Sequence, residues 1–306
     1  MSRPRAIVDA HHHVWDPDVN YHPWLRDEPV SGFRYGDYSR IKRRYLVPDY
    51  LADACNWQVA GTVYVEAEWD PKDPTSEMDF IAGLRRVSGY PSVAVGQIRL
   101  DEHAAAATLE KFAGYDFVRS VRQKPRANAS ASDRAAGGMT DGIWRAGFAE
   151  LRKHELRFDL QTPWWHLEEA ADLARDFPDT QIIINHAGLP ADRREAGLSA
   201  WRAAMARAAG PPNIAVKISG IGTPGLPWTA DRNREIVLTV IDLFGVERCM
   251  FGSNFPVDSL CARFDEIYEG FDAITANFST DDRRRLFHDN AVRIYAIPQA
   301  WLHHAS

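Results

Sequence analysis

The chain has 306 residues, 45% of them apolar and 25% charged, which is ordinary globular composition and excludes disordered, collagen-like and coiled-coil chains. Its 36 Lys and Arg against 42 Asp and Glu give a net charge of −6, with no basic excess to neutralise phosphates, so nucleic acid is not expected as a partner. The three cysteines, Cys55, Cys249 and Cys261, cannot all pair and form no C-x-x-C, which suits a reducing cytoplasm. Met1 to Arg5 lead into only Ala6-Ile7-Val8 before Asp9, too short for a signal-peptide core. No apolar run reaches the length of a membrane span.

In chain order, short β-branched runs alternate with longer amphipathic stretches. The runs are Ala6–Ala10, Gly61–Glu66, Val93–Arg99, Phe117–Gln123, Arg157–Gln161, Gln181–His186, Asn213–Ile218 and Arg248–Ser253. Several are apolar through the middle, as strands buried on both faces are. Between them lie helical patterns, among them those around Tyr50–Trp57, Asp79–Leu84, Trp144–Leu151, Leu167–Ala174 and Ile236–Phe244, with a last one from Thr280 to Ile294. Several open on Ser, Thr or Asp and stop at Gly or before Pro, as the orphaned backbone groups of helix ends require. Eight βα units predict an α/β chain folded as a single-domain (β/α)8 TIM barrel, spanning 1–306, with a long first βα loop. The competing doubly wound sheet lacks its G-x-G-x-x-G turn.

Barrel chemistry sits where strands end, and here those ends are polar. Strand 1 closes on His11-His12-His13, strand 2 on Glu66, strand 4 on Arg122-Gln123-Lys124, strand 5 on Gln161, strand 6 on Asn185-His186 and strand 8 on Ser253-Asn254, while strand 7 carries Lys217. In an extended segment residues two apart share a side, so His11 and His13 converge, and His186 would complete a three-nitrogen metal site. Such a site suits Zn²⁺ with one position left for water. The alternative is that the three imidazoles hold the water directly, without metal.

Val8-Asp9-Ala10-His11-His12-His13-Val14-Trp15-Asp16, Ile184-Asn185-His186-Ala187-Gly188-Leu189-Pro190, Val216-Lys217-Ile218-Ser219-Gly220 and Met250-Phe251-Gly252-Ser253-Asn254-Phe255-Pro256-Val257, in order and at barrel spacing, resemble the amidohydrolase superfamily. The closer resemblance is to its amidohydrolase-related (amidohydrolase 2) branch of sugar-lactone and dicarboxylate-lactone hydrolases. That resemblance implies a hydrolase with an activated water. The chain departs from the pattern twice. Gln161 stands where the superfamily has a metal-binding His, and Asn254 stands where it has the Asp that takes the water's proton. An amide accepts no proton at neutral pH, so Asn254 is left to orient water or substrate, and a base must come from elsewhere.

Glu66, Asp258 and, further along the second loop, Asp70 are the candidates for that work, with His186 or His13 serving if no metal binds. Against this, Glu66 would serve equally as the partner of a strand-4 cation, and Asp258 as a helix N-cap. Arg122, Lys124 and Lys217 would grip a carboxylate or an acyl oxygen, or form internal ion pairs. Gln161 and Trp165, the latter in Pro163-Trp164-Trp165-His166, are placed with the substrate. The loop from Trp15 to Tyr45, with Tyr21, His22, Trp24, Phe33, Tyr35 and Tyr38, is long enough to be a lid or a subunit contact. Whether the chain forms a homodimer stays open, though these aromatics would suit self-association. The expected reaction is hydrolysis of a small lactone bearing a carboxylate or sugar-like hydroxyls. The rival readings are a non-oxidative decarboxylase and a non-catalytic ligand-binding barrel.

Overall fold

The computed structural model describes residues 6–27, 30 and 32–303, so the opening pentapeptide lies outside it. Eight parallel strands run β1 Ile7–His12, β2 Val59–Val65, β3 Val93–Gln97, β4 Val118–Gln123, β5 Arg157–Leu160, β6 Ile182–Ile184, β7 Ile214–Ile218 and β8 Cys249–Phe251. They pair in sequence order. The seam between β8 and β1 is drawn together by Asn254 N–H on His11 O at 2.7 Å and His13 N–H on Phe255 O at 2.7 Å. Asp9 staples the same seam from the helix-layer side. It accepts from Ser253 N at 2.8 Å and Ser253 Oγ at 2.6 Å, and from the Tyr50 hydroxyl at 2.9 Å. This is the expected (β/α)8 barrel, with all eight runs forming strands.

Helices follow each strand and bury one face against the wall. Leu167–Asp176 hides Leu167, Ala170, Ala171, Leu173 and Ala174 while its charged face stays outside. Asp141 caps Gly142–Ala149 by accepting from Ile143 N and Trp144 N. Ser76–Ser88 stops at Gly89, whose left-handed φ of 77° a side chain would resist. The predicted last helix is one path in three pieces, Thr280–Arg284, a π turn over Arg285–Asp289, and Asn290–Ile294.

Inside the barrel, Val8, Ala10, Val63, Val65, Val93, Val95, Ile183, Ala215 and Met250 form one apolar cluster with Ala291, Ile294, Tyr295, Ile297 and Leu302. The C-terminal segment thus plugs the end of the barrel away from the site. The first loop is clasped at its ends, where Trp15 and Tyr45 exchange backbone hydrogen bonds of 2.8 and 2.9 Å. Among the described residues no helix is long and apolar enough to cross a membrane.

Candidate active site

Strand alternation sorts the His triplet. His12 turns outward into the helix layer, its ring tilted against Tyr50 with centroids 4.5 Å apart. His11 and His13 turn inward, as their spacing predicts. Their centroids are 5.0 Å apart, and that of His186 lies 4.6 Å from His11. Burial holds all three imidazoles neutral. It drives His11 well below its ordinary value, helped by the Lys217 charge, lowers His13 with Arg122, and lowers His186 with Arg34.

The hydrogen-bond arithmetic leaves lone pairs over. His13 Nδ1 lies 2.8 Å from Val65 O and must donate to it, so Nε2 keeps its lone pair. That nitrogen faces Asn254 Oδ1 at 3.3 Å. The Asn254 amide is turned this way because its Nδ2 donates to Asp258 Oδ1 at 2.6 Å. Two acceptors therefore face each other, an arrangement suited to a cation or a proton donor. Both ring nitrogens of His11 are buried with no partner among the described residues. His186 Nδ1 lies 3.0 Å from Ser219 Oγ.

A cavity of about 220 Å³ opens above these groups. Strand ends supply His13, Glu66, Arg122, Gln161, His186 and Asn254, with Lys124 just beyond. The first loop supplies Trp24, Phe33, Arg34 and Tyr35. Glu66 and Arg122 are both buried and tied together: Arg122 Nε donates to Glu66 Oε1 at 2.5 Å and Nη2 to Glu66 O at 2.7 Å. Arg122 Nη1 reaches Gln161 Oε1 at 3.1 Å. Glu66 is thus locked to the strand-4 cation rather than free as a base. Lys124, half-exposed, pairs with Glu68.

Three expected positions are corrected. Lys217 does not reach the cavity. It is 0% exposed, its Nζ 2.6 Å from Asp159 Oδ1, and it lies one layer beneath the histidines. Asp159 is held further by Ser120 Oγ at 2.7 Å, Asn185 Nδ2 at 2.9 Å and the Tyr295 hydroxyl at 2.9 Å. Trp165 faces away from the cavity, because the Trp164–His166 turn carries its indole onto the β4 loop, where Nε1 donates to Asn128 O at 3.1 Å. Asp258 neither lines the cavity nor caps a helix. It is buried behind Asn254, accepts from Tyr35 OH at 2.9 Å, and burial pushes its carboxyl up to about 6. His11 joins His13 and His186 as expected, buried and not itself lining the cavity.

Arg34 and Glu68 on the wall were missed. Both come from loops, where no periodicity marks which side chain points inward. Only the length of the first loop gave a signal for Arg34.

Fold and rim together define a barrel of enzyme type, with neutral imidazoles and cations gathered at the strand ends. Residues 8–297 match the amidohydrolase family, and the chain belongs to it. A Sinorhizobium fredii protein described as uncharacterized protein y4mH is 39% identical over 295 residues, covering 95% of this chain and 99% of that protein. The L-fucono-1,5-lactonase of Burkholderia multivorans is 26% identical over 303 residues, covering 95% and 96%. A solved amidohydrolase from Burkholderia multivorans with bound zinc superposes with a TM-score of 0.80 at 24% identity, covering 96% of this chain and all of that one, a likeness of fold.

Proposed function

We propose that this amidohydrolase hydrolyses a small lactone with the help of a divalent metal, Zn²⁺ first, held by His11, His13 and His186. The observation that carries the reading is the unspent lone pairs on neutral, buried imidazoles, above all on His11, whose two ring nitrogens have no partner among the described residues. Neutral nitrogen is what zinc takes, and a buried imidazole without a partner is costly otherwise. Among the described residues no three His, Cys, Asp or Glu side chains are already converged on a metal position; His11, His13 and His186 are the residues that would hold the ion. The zinc-bound neighbour and the lactonase relative support the choice. When bound, such an ion supplies an electrophile and acidifies water.

The chain's own residues do the rest. Asn254 Oδ1, fixed by Asp258, accepts a hydrogen bond from the attacking water and orients it. Arg122, immobilised by Glu66 and Gln161, presents a fixed positive charge toward the acyl oxygen as negative charge develops there. The aromatic first loop walls the ring of the substrate. The water oxygen adds to the carbonyl carbon, the ring C–O bond opens, and the water's proton passes to the departing oxygen. The three unpaired thiols suit a cytoplasmic setting.

Elemental analysis of purified protein, followed by assay on a lactone panel with and without chelator, tests this. Expected are about one metal per chain and turnover that chelation abolishes. Failure to open any lactone, with zinc or manganese added, refutes the reading. Release of CO₂ from a hydroxybenzoate in its place would put a decarboxylase there.

A further inference from the structure

Beside the catalytic cavity lies a second one of about 130 Å³, and Arg34 and Leu189 line both. Its other walls are the β6 loop, with Arg193, and the start of the β7 loop from Gly220 to Pro224. Two guanidinium groups face this space, and among the described residues no carboxylate lines it.

Neither arginine has a carboxylate within hydrogen-bond distance among the described residues. Arg193 is half-buried, and its Nη2 donates to Ile221 O at 2.6 Å and Asn233 Oδ1 at 3.4 Å, both uncharged. The carboxylate whose field reaches it, Glu235, is engaged by Arg202 at 2.5 Å. Arg34 donates to the Tyr35 hydroxyl at 2.7 Å. Its nearest acid, Asp258 Oδ1, is 3.9 Å away and already accepts from Tyr35 and Asn254. A half-buried guanidinium with no carboxylate in hydrogen-bond contact is held at a cost, and two lining one space leave several N–H donors for oxygen. The β7 loop leaves room for Arg34 there and accepts from Arg193 through Ile221 O. Gly220 has φ +56°, and a Cβ on it would sit 2.8 Å from Arg34 Nη2 and closer still to His186 Nδ1.

Resting on the lactone reading, we propose that Arg34 and Arg193 form an anion subsite, and that the substrate carries an oxyanion, carboxylate or phosphate, on the side of the ring facing the β7 loop. Arg34 belongs to both cavities, so the anchored group lies next to the reacting bond. The substrate class is thereby an acidic lactone rather than a neutral sugar lactone.

The test compares kcat/KM for D-glucono-1,5-lactone, D-glucaro-1,4-lactone and 6-phosphoglucono-1,5-lactone in the full chain, Arg34→Gln and Arg193→Gln. In parallel, calorimetry measures D-glucarate and inorganic phosphate binding. Wild type should favour one of the acidic lactones at least tenfold over the neutral one. Which acid wins tells carboxylate from phosphate. Both variants should lose that ratio, and Arg193→Lys should recover part of it. A wild-type preference for the neutral lactone, or variants that keep the ratio, overturns the subsite. Equal losses on neutral and acidic substrates would assign Arg34 to the developing oxyanion and overturn it too. If no lactone is opened, the lactone reading falls by itself. The subsite then stands if either variant weakens anion binding at least tenfold, and falls if the anions do not bind or bind the variants equally. Circular dichroism checks the folding of each variant.

Discussion

Lys217 separates a structural from a substrate role. Replacing it by Met keeps the stem's volume and removes the ammonium. Asp159 then stays buried, its carboxylate still held by Ser120, Asn185 and Tyr295 but with no cation within 4 Å among the described residues. Removing one partner of a buried pair costs about 3–5 kcal/mol. Unfolding entropy near 2.1 cal/mol/K per residue gives about 0.64 kcal/mol/K for this chain, so the loss corresponds to a melting point lower by about 5–8 °C. Replacing the whole pair, Lys217→Met with Asp159→Leu, should recover a good part, because the stranded charge is gone. Scanning calorimetry reads both. An unchanged midpoint in Lys217→Met, together with a raised KM, would show that the lysine serves the ligand and that the pairing with Asp159 is incidental.

Other substitutions probe the rim. Asn254→Asp puts a carboxylate 2.6 Å from Asp258 Oδ1 where an amide N–H now donates, so the two acids must share a proton. Asp258 already titrates near 6, above its unfolded value, which means the fold gains from its proton and loses that gain as pH rises through the folded pKa. The variant should extend that loss upward, with a melting-point deficit larger at about pH 8 than at about pH 5. A deficit independent of pH would contradict the dyad. Gly220→Ala forces a side chain into a left-handed backbone at about 1–2 kcal/mol and pushes its methyl toward Arg34 and His186. Turnover should fall far more than the melting point, and unchanged kcat/KM would show that the loop has slack.

The barrel was legible because runs such as Ile182-Ile183-Ile184 are apolar on both faces and each is followed by a helical stripe. The His11, His13 and His186 cluster was legible because strand periodicity fixes which residues share a side. Depth was not legible. Lys217 and the strand-4 cations look alike in sequence, yet one lies below the histidines and the others above, since register along the barrel axis depends on neighbouring strands. The pairing of Glu66 with Arg122 was one of two open readings, and geometry decided it. Arg34 and Arg193 reach their places through irregular loops, whose directions follow from packing rather than period.

The Asp9–Ser253 staple lies two residues from His11 on one strand and one from Asn254 on the other. Ring closure and the facing of His13 toward Asn254 are therefore a single event. Any species that bridges those two side chains ties together the first and last staves of the cask, and its binding free energy adds directly to the resistance of that joint to opening. Amide protons along Ile7–His12 and Cys249–Phe251 should then exchange more slowly once the bridging species is added, making the joint itself a reporter of occupancy.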